Sequence, residues 1–367
     1  MLIILNKWKR KYKDIIIFFL LLTLVMIKKY KDIKICLCVI AKNENKYLRE
    51  FVEYYKTIGY NKIFLYDNND IFGEKFEEVI KDYIINEFVK VIYFKDINSK
   101  KIPQIEAYKD CYKKNSKVYD WLSFFDIDEY VELNKKYKTM KEFLKDKKIA
   151  HCQNIKLNWL YYYDSNLLYY ENKPLQKRLK IFENDNPVNI HIKSTVKGNL
   201  SINYWENAGN PHSSSMNITT CSSSGKIIKY DSPFNKPPDF TNAKLRHYHY
   251  KSFQEYCLKI KKGRADCNDY QRKLLKEESI KNLYSMIKND TRKVQIFHKI
   301  FNCIIYIHRF SGIFFVCKYC IINIVIFFYK TIQVLFKDYF TLVQKPFKFR
   351  FTITFSNHFD FIKGKLF

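Results

Sequence analysis

The chain has 367 residues, of which 47% are hydrophobic and 28% are charged, and its formal net charge is +28. This balance excludes a disordered chain, because it provides enough apolar surface for a sizeable core. The charge favours anionic partners such as nucleotide diphosphates, phosphorylated substrates and lipid headgroups. We expect no nucleic-acid partner, since the sequence carries no zinc-finger, RNA-recognition or helix-turn-helix signature.

The ten cysteines are scattered along a long chain, which is not the pattern of a disulfide scaffold. Cys36 and Cys38 alternate within an apolar run, as small buried strand residues do. Cys317 and Cys320 form a C-x-x-C without a second pair at zinc spacing. The cysteines therefore predict apolar packing, and they mildly favour a reducing compartment.

Residues 1–32 combine basic residues with an apolar segment at 15–27. As a helix that segment would be about 20 Å long, which is shorter than a hydrocarbon core of about 30 Å. No small-residue cleavage site follows it, so it does not read as a cleaved signal peptide. The segment predicts membrane association through an uncleaved anchor or an interfacial helix.

From residue 33 predicted strands and helices alternate. Buried parallel strands are predicted at 33–40, 62–66, 88–94 and 121–126, with helices at 46–58, at 74–84 and from Pro103. This series predicts an α/β domain over residues 33–265, with a Rossmann-like, mostly parallel sheet and helices on both faces. Ligands of such sheets bind at the carboxyl ends of the strands.

The pattern changes after residue 150. Residues 198–240 are rich in Ser, Asn, Pro and Gly and predict long loops, and a polar helical stretch follows at about 252–290. Residues 296–336 are apolar and aromatic, with basic residues that share no single helix face. We expect 266–367 to form a helical, aromatic-basic appendage that is suited to contact a membrane.

The fourth predicted strand ends in Phe125-Asp126-Ile127-Asp128-Glu129. Alternate residues of an extended chain point the same way, so Asp126 and Asp128 can share one cation. Carboxylate oxygens suit Mn²⁺ or Mg²⁺, which would bridge to diphosphate oxygens and neutralise a nucleotide leaving group. A solvated turn is the alternative interpretation. Glu129 is expected to orient the pair rather than to bind the cation.

Polar residues also follow the first two strands. Asp67, and Asn43 or Glu44, are able to accept hydrogen bonds from a nucleobase or ribose, and Asn68 lies beside Asp67. Helix caps and turns are the alternative for each residue taken alone. Further along the chain, His247 and His249 would face one side of an extended segment, and imidazole is a reasonable Mn²⁺ ligand.

Lysine and arginine side chains that follow the histidines include candidates for phosphate binding. Lys251 and Arg264 suit phosphate oxygens, whereas a solvated helix face is the better expectation for Lys262. Asn158 and Trp159 begin an aromatic run that could stack a sugar ring, with core packing as the equal alternative.

These motifs occur in a fixed order: Ala41-Lys42-Asn43-Glu44, Tyr66-Asp67-Asn68-Asn69, Gln104 with Ala107-Tyr108, Phe125-Asp126-Ile127-Asp128-Glu129-Tyr130, Asn158-Trp159, and His247-Tyr248 followed by Lys251-Ser252. The ordered set resembles glycosyltransferase family 92 and its bacterial relatives in the family-2-like group. The resemblance covers about residues 33–265, and Arg246 departs from it where Asn would be expected. It implies a GT-A fold, a nucleotide-sugar donor (UDP-galactose in the characterised animal members), a divalent cation and inverting transfer to a glycan hydroxyl.

The resemblance also implies roles for individual residues. It makes His247, rather than His249, the residue that joins Asp126 and Asp128 at the cation. It places the nucleotide sugar at Asn43, Glu44, Asp67, Asn68, Gln104, Asp126 and Lys251, and the acceptor sugar at Asn158 and Trp159. An inverting transfer needs a carboxylate base, and Asp231, Asp239 and Glu206 lie in the loop-rich region where an acceptor would dock.

The sequence thus predicts a glycosyltransferase that moves a galactose-like hexose from a nucleotide sugar, with UDP as the expected nucleotide, to a glycan or glycolipid. It would work at a membrane surface, on the cytoplasmic face in a bacterium or in the Golgi lumen in a eukaryote. A nucleotidyltransferase is the first alternative, although residues 41–46 contain none of the glycines of a phosphate loop. A non-catalytic basic module at a membrane is the second.

Overall fold

The computed structural model describes residues 32–94, 101–163, 166–201, 203–213, 217–228 and 233–301, together with five residues between 12 and 18. The chain divides into two compact units, Met1–Ile300 and Phe301–Phe367, and the elements below belong to the first apart from the last residue of the final helix. Most of the apolar segment 15–27 and nearly all of the stretch 296–336 lie outside the described residues. No helix in the described part is long and apolar enough to cross a membrane.

Nine strands form one sheet in the order β3-β2-β1-β4-β7-β6-β9-β5, with β8 beside β6. Their bounds are β1 Ile35–Ala41, β2 Lys62–Asp67, β3 Val89–Tyr93, β4 Trp121–Phe124, β5 Glu129–Leu133, β6 Asn154–Tyr161, β7 Ile192–Lys197, β8 Thr220–Cys221 and β9 Ala243–His247. The first four strands pair in parallel, whereas β7 runs antiparallel to both β4 and β6. β9 is parallel to β6, and β5 forms the edge of the sheet, antiparallel to β9.

Eight helices lie within the described residues: α1 Asn45–Thr57, α2 Glu77–Ile85, α3 Pro103–Asn115, α4 Met140–Lys145, α5 Leu175–Arg178, α6 Phe253–Lys262, α7 Asp269–Ile287 and α8 Thr291–Phe301. A 3-10 turn, Pro187–Ile190, precedes β7. The periodicity of the sequence therefore placed the first three helices correctly, and the predicted polar helical stretch at 252–290 corresponds to α6 and α7.

One hydrophobic core lies on each face of the sheet, and together they bury both faces of β1. Leu37 and Val39 face the core that contains Phe51 of α1 and Phe143 of α4. Their neighbours Cys36, Cys38 and Ile40 face the other core, which contains α3. Burial on both faces explains why the β1 sequence is apolar throughout and does not alternate with polar residues. The predicted fold class, a mostly parallel α/β sheet with helices on both faces, is confirmed.

Four cysteines depart from the prediction of unpaired packing residues. Cys38 of β1 is bonded to Cys111 of α3, and Cys152, just before β6, is bonded to Cys221 of β8. Both pairs bring together residues about seventy positions apart, with sequence separations of 73 and 69. Cys36 does match the prediction, as a free thiol that is fully buried in β1.

Candidate active site

A cavity of about 940 Å³ opens where β1, β2 and β4 end. Its opposite wall is formed by α6, the loop 263–266 and the first turns of α7. Seven Lys or Arg, five Asp or Glu and four His side chains line it. Walls with charges of both signs suit a ligand that carries an anion together with a cation. The predicted rim of polar strand ends therefore lines this cavity.

Asp126 lies in a turn rather than in the extended strand that the sequence predicted. β4 ends at Phe124, and the Glu129 amide donates to the Asp126 carbonyl over 3.0 Å. The Asp126 carboxylate accepts from Gln104 Nε2 over 2.6 Å, from Tyr108 OH over 3.2 Å and from Lys193 Nζ over 2.8 Å. Both carboxylate oxygens are thus engaged by protein groups.

Lys193 is a site residue that the sequence analysis missed. It projects from β7, is almost fully buried, and lies 2.8 Å from Asp126 Oδ2 and 3.9 Å from Glu129 Oε2. Burial raises the pKa of Glu129, while Lys193 opposes that rise. Glu129 Oε2 also accepts from the Asp126 amide over 2.8 Å, so Glu129 orients the acidic turn as predicted. The one signal in the sequence was a lysine inside the alternating stretch 192–196.

Asp128 faces His247 and Lys259. His247 Nε2 is 3.7 Å from Asp128 Oδ1, and Lys259 Nζ of α6 donates to Asp128 Oδ2 over 2.8 Å. Burial alone would raise the pKa of Asp128, but Lys259, His247 and Lys251 hold the pKa well below its usual range. Asp128 is therefore an ionised carboxylate at neutral pH.

His247 ends β9 and is buried. Burial lowers the pKa of His247 to about 3, against the opposing charge of Asp128, so the imidazole is neutral and keeps a lone pair. His249 lines the same cavity, as the sequence predicted, but its Nδ1 lies 3.1 Å from Lys259 Nζ. Arg246 points to the other side of β9, where it contacts Glu132 and Tyr54, so this departure from the family pattern lies outside the cavity.

Asp128 and His247 are donors that fit a hard divalent cation, whereas both oxygens of Asp126 are held by other side chains. An ionised carboxylate and a neutral imidazole 3.7 Å apart are donors that Mn²⁺ or Mg²⁺ accepts. Within the described residues, the donor atoms of Asp126, Asp128 and His247 do not all lie within 4.8 Å of one another. Asp126 is held away because Gln104 and Lys193 occupy its oxygens.

The residues after β1 and β2 divide into two groups. Glu44, Asn68, Asn69 and Asp70 line the cavity, whereas Asn43 and Asp67 do not. The backbone N–H of Asn43 donates to Asn69 Oδ1 over 2.7 Å, and the buried Asp67 carboxylate accepts from the backbone N–H of Asn69 over 2.8 Å. Asn43 and Asp67 therefore shape the loops, and their predicted contact with the nucleotide is not supported.

Two lysines, Lys251 and Lys262, lie elsewhere than the sequence predicted. Lys262, expected on a solvated face, lines the cavity and pairs with Glu44 over 2.5 Å. Lys251, expected at the phosphates, is buried outside the cavity wall, 3.8 Å from Glu44 and 3.8 Å from the ring centre of Tyr47. Burial lowers the pKa of Lys251. The lysines that contact the acidic turn are Lys259 and Lys193.

Of the two predicted acceptor residues, only Trp159 lines the cavity. Its ring is 4.1 Å from the ring of His247 and stacks on His191 at 4.9 Å. Asn158 is fully buried, and its side-chain Nδ2 donates to the backbone carbonyls of Asn189, Ile190 and Asn235. Asn158 therefore holds three loop segments together and is not available to a sugar.

Two of the three predicted base residues, Glu206 and Asp239, do not line the cavity. Glu206 is half exposed and pairs with Lys109 over 2.8 Å, and Asp239 accepts from the amides of Ser224 and Thr241. Neither lines the cavity, and Asp231 lies outside the described residues. A carboxylate that the sequence analysis missed, Asp266, does line it.

Asp266 sits just before α7, on the wall opposite the acidic turn. The Asp266 carboxylate forms a two-pronged pair with Arg264, and the preceding carbonyl, of Ala265, accepts from the Gln104 amide over 3.2 Å. Burial alone would raise the pKa of Asp266, but Arg264 holds the pKa below its usual range. Asp266 is therefore ionised and able to accept a proton.

The chain belongs to glycosyltransferase family 92, whose sequence profile matches residues 31–291. A family 92 protein of Ricinus communis is 27% identical over 107 residues, covering 28% of this chain and 18% of its own length. One of Oryza sativa subsp. japonica is 28% identical over 96 residues, covering 26% and 16%. The chain thus spans less than a fifth of these curated relatives. The resemblance drawn from the sequence is confirmed.

Among solved structures, the chain is similar to residues 1–349 of S. aureus TarS. The sequence identity is 19% and the TM-score 0.26, with 35% of this chain and 36% of that chain covered. A complex of the same TarS fragment with UDP gives 17% identity, a TM-score of 0.26 and the same coverage.

Proposed function

We propose that this chain is a cation-dependent glycosyltransferase that transfers a galactose-like hexose from a nucleotide sugar to a glycan or glycolipid hydroxyl with inversion. The observation that carries the proposal is the pair of Asp128 and neutral His247, 3.7 Å apart on the wall of the large cavity at the strand ends. Membership of glycosyltransferase family 92 supports the reaction class.

The donor is proposed to lie along the strand ends, with UDP as its nucleotide. Glu44, Asn68 and Asn69 offer hydrogen-bonding groups to the nucleoside, and the exposed ring of Phe72 stands at the rim beside them. The diphosphate would lie beside Asp128, within reach of Lys259. A bound Mn²⁺ or Mg²⁺ would neutralise the charge that grows on the departing nucleotide diphosphate. Gln104 and Lys193 keep Asp126 oriented toward the sugar.

The acceptor is proposed to enter from the side of Trp159 and His191, where an aromatic face is available for a sugar ring. In one displacement the acceptor oxygen bonds to the anomeric carbon while the bond from that carbon to the diphosphate oxygen breaks. The hydroxyl proton passes to a carboxylate, and Asp266 is the described carboxylate best placed to accept it. Glu44 and Asp70 instead lie beside Asn68 and Asn69, at the end proposed for the nucleoside.

A donor screen tests the proposal. UDP, GDP and CMP sugars are offered with Mn²⁺ and without it, and donor hydrolysis and thermal shift are measured. The proposal expects Mn²⁺-dependent hydrolysis of a UDP-hexose and stabilisation by UDP. A nucleotidyltransferase would instead release pyrophosphate from a nucleoside triphosphate. A non-catalytic basic module would bind lipid equally well with Asp128→Asn and would hydrolyse no donor.

We also propose that the protein works at a membrane surface, because +28 charges accompany apolar segments at both ends of the chain. A few basic residues near an anionic surface contribute about 1 kcal/mol each, which adds to apolar insertion. Full-length protein and residues 32–301 are compared for sedimentation with anionic liposomes. The proposal expects only the full-length protein to sediment. If it stays in the supernatant without detergent, the membrane proposal is wrong.

A further inference from the structure

A second group of chemically reactive side chains lies away from the cavity. His151 and Cys152 precede β6, and Cys221 lies on β8. His151 Nε2 is 3.7 Å from Cys152 Sγ and 3.6 Å from Cys221 Sγ. Within the described residues this is the group of His, Cys, Asp and Glu whose donor atoms converge within 4.8 Å. None of the three lines the cavity, so the group is independent of the proposed transfer reaction.

The backbone around this group is fixed by hydrogen bonds that do not depend on the disulfide. The amides of Gln153 and Asn154 both donate to the Thr219 carbonyl, over 2.7 and 3.1 Å. The Thr219 amide donates back to Gln153 Oε1 over 2.9 Å. The two cysteines therefore remain neighbours if the disulfide is reduced, and reduction leaves two thiols beside one imidazole.

The distances agree with those of a tetrahedral zinc centre. Zn–S and Zn–N bonds of about 2.3 and 2.0 Å place sulfur and nitrogen ligands about 3.5 Å apart, and two sulfur ligands about 3.8 Å apart. Both observed sulfur–nitrogen distances lie within about 0.2 Å of that value. The Cα atoms of the two cysteines are 5.9 Å apart, so side-chain rotation alone can separate the sulfurs. The exposed position of His151 leaves room for water as a fourth ligand.

We propose that His151, Cys152 and Cys221 form a redox-dependent site for a borderline-soft divalent cation of the Zn²⁺ class. Under oxidising conditions the cysteines form the disulfide. A dithiol or phosphine reductant supplies two electrons, and two protons from solvent give two thiols while the reductant is oxidised. The cation then binds both thiolates and the imidazole and releases the two thiol protons to solvent. Either state ties β8 to the start of β6.

The test uses full-length protein carrying Cys317→Ser and Cys320→Ser, which removes the competing C-x-x-C pair. The protein is reduced with a phosphine, freed of reductant and titrated with Cd²⁺, and the ultraviolet thiolate-to-cadmium absorption band is measured. We expect one equivalent of Cd²⁺ to bind reduced protein with this band, and Zn²⁺ to compete for it. Protein kept oxidised should show no band. A Mn²⁺ ion at Asp128 gives no thiolate band, so the two sites are distinguished.

Two variants and one control assign the band. His151→Ala removes an exposed side chain, so the fold should survive, and Cd²⁺ affinity should fall at least about tenfold. Cys221→Ser should abolish the band, whereas Cys267→Ser, outside the group, should retain it. If Cys221→Ser fails to fold, protection of Cys152 and Cys221 from alkylation by Cd²⁺ is measured in otherwise unaltered reduced protein. Absence of the band or of protection, or unchanged affinity in His151→Ala, overturns the proposal.

Discussion

Lys259 Nζ donates to Asp128 Oδ2 over 2.8 Å, while the other oxygen of the same carboxylate faces His247 Nε2 at 3.7 Å. The two oxygens of one carboxylate thus face an ammonium group and an imidazole. Lys259 is about one-third exposed, so its side chain has room to turn toward a phosphate oxygen. The pair links α6 to the acidic turn and makes Asp128 the centre of the proposed chemistry.

The first prediction concerns Asp128 itself. Asp128→Asn removes the proposed cation ligand and would leave the diphosphate charge poorly neutralised, so kcat should fall on the order of 10²-fold or more. The measurement is donor turnover across a Mn²⁺ titration, with the melting temperature as a check on folding. Asp82→Asn is the control, because Asp82 is exposed on α2 and pairs only with Arg49. A well-folded Asp128→Asn protein that keeps full activity in the presence of EDTA contradicts the cation site.

The second prediction distinguishes the roles of His247 and His249. His247 Nε2 faces Asp128, whereas His249 Nδ1 contacts Lys259. We expect His247→Ala to weaken Mn²⁺ binding about tenfold or more, and His249→Ala to change it much less. Mn²⁺ affinity is measured directly by calorimetry with UDP present. Small and equal effects in the two variants would remove His247 from the cation site.

Local patterns in the sequence were sufficient for the parallel half of the sheet. The run that became β1 is apolar without alternation because both of its faces are buried, and Asn68 and Asp126 follow strands whose ends meet at one edge. Parallel pairing therefore predicts which loops converge. It does not predict how the chain turns at Asp126, because that turn is set by Glu129 and by Lys193 from a distant strand.

The rest of the site depends on contacts between distant parts of the chain. Lys259 and Asp128 are 131 positions apart, and Asp266 reaches the cavity only because α6 and α7 fold back over the strand ends. Composition does not reveal such contacts. Residue type alone also gave wrong site predictions for Asn158 and Asp239. Both side chains form hydrogen bonds with backbone groups of neighbouring loops, so they are not free to bind a ligand.

The third prediction concerns the base. If Asp266 accepts the acceptor proton, Asp266→Asn should lower kcat about 10²- to 10⁴-fold with little change in donor KM. Initial rates with a defined donor and acceptor are measured across pH, because loss of a base also removes the acidic limb of the rate profile. Glu206→Gln is the matched control, since Glu206 pairs with Lys109 outside the cavity. A kcat within threefold of wild type would exclude Asp266 and return attention to Asp231.

The fourth prediction concerns stability. Arg178 and Glu255 form a two-pronged ion pair at 2.6 and 2.7 Å, and their side chains are only 1% and 2% exposed. Glu255 also accepts from Tyr47 OH and from the Ser252 amide, which caps α6. Glu255→Gln would leave the Arg178 charge buried without its partner. We expect the free energy of unfolding at pH 7 to fall by about 3–5 kcal/mol.

The same pair predicts a pH dependence of known sign. Burial alone would raise the pKa of Glu255, but the hydrogen bonds from Arg178, Ser252 and Tyr47 outweigh it and the pKa is lowered. Because the pKa of Glu255 is lower in the folded state, its ionisation stabilises the protein at pH values above the unfolded glutamate pKa of about 4.3. This stabilisation is lost as the pH falls through the pKa that Glu255 has in the folded state. The difference between wild type and Glu255→Gln should therefore be constant from pH 6 to 7 and should shrink below about pH 4.

Denaturant unfolding of both proteins at each pH measures this difference. Glu53→Gln serves as the control, because Glu53 is half exposed and its pair with Arg49 at 3.4 Å lies on the surface of α1. An exposed pair of this kind contributes about 0.5 kcal/mol or less, so Glu53→Gln should leave stability nearly unchanged. A Glu255→Gln effect as small as that of Glu53→Gln, or one that persists undiminished at low pH, would contradict the assignment. In that case the apolar contacts of Phe253 and Cys257 would hold α6 in place. They would then also determine the position of Lys259 beside Asp128.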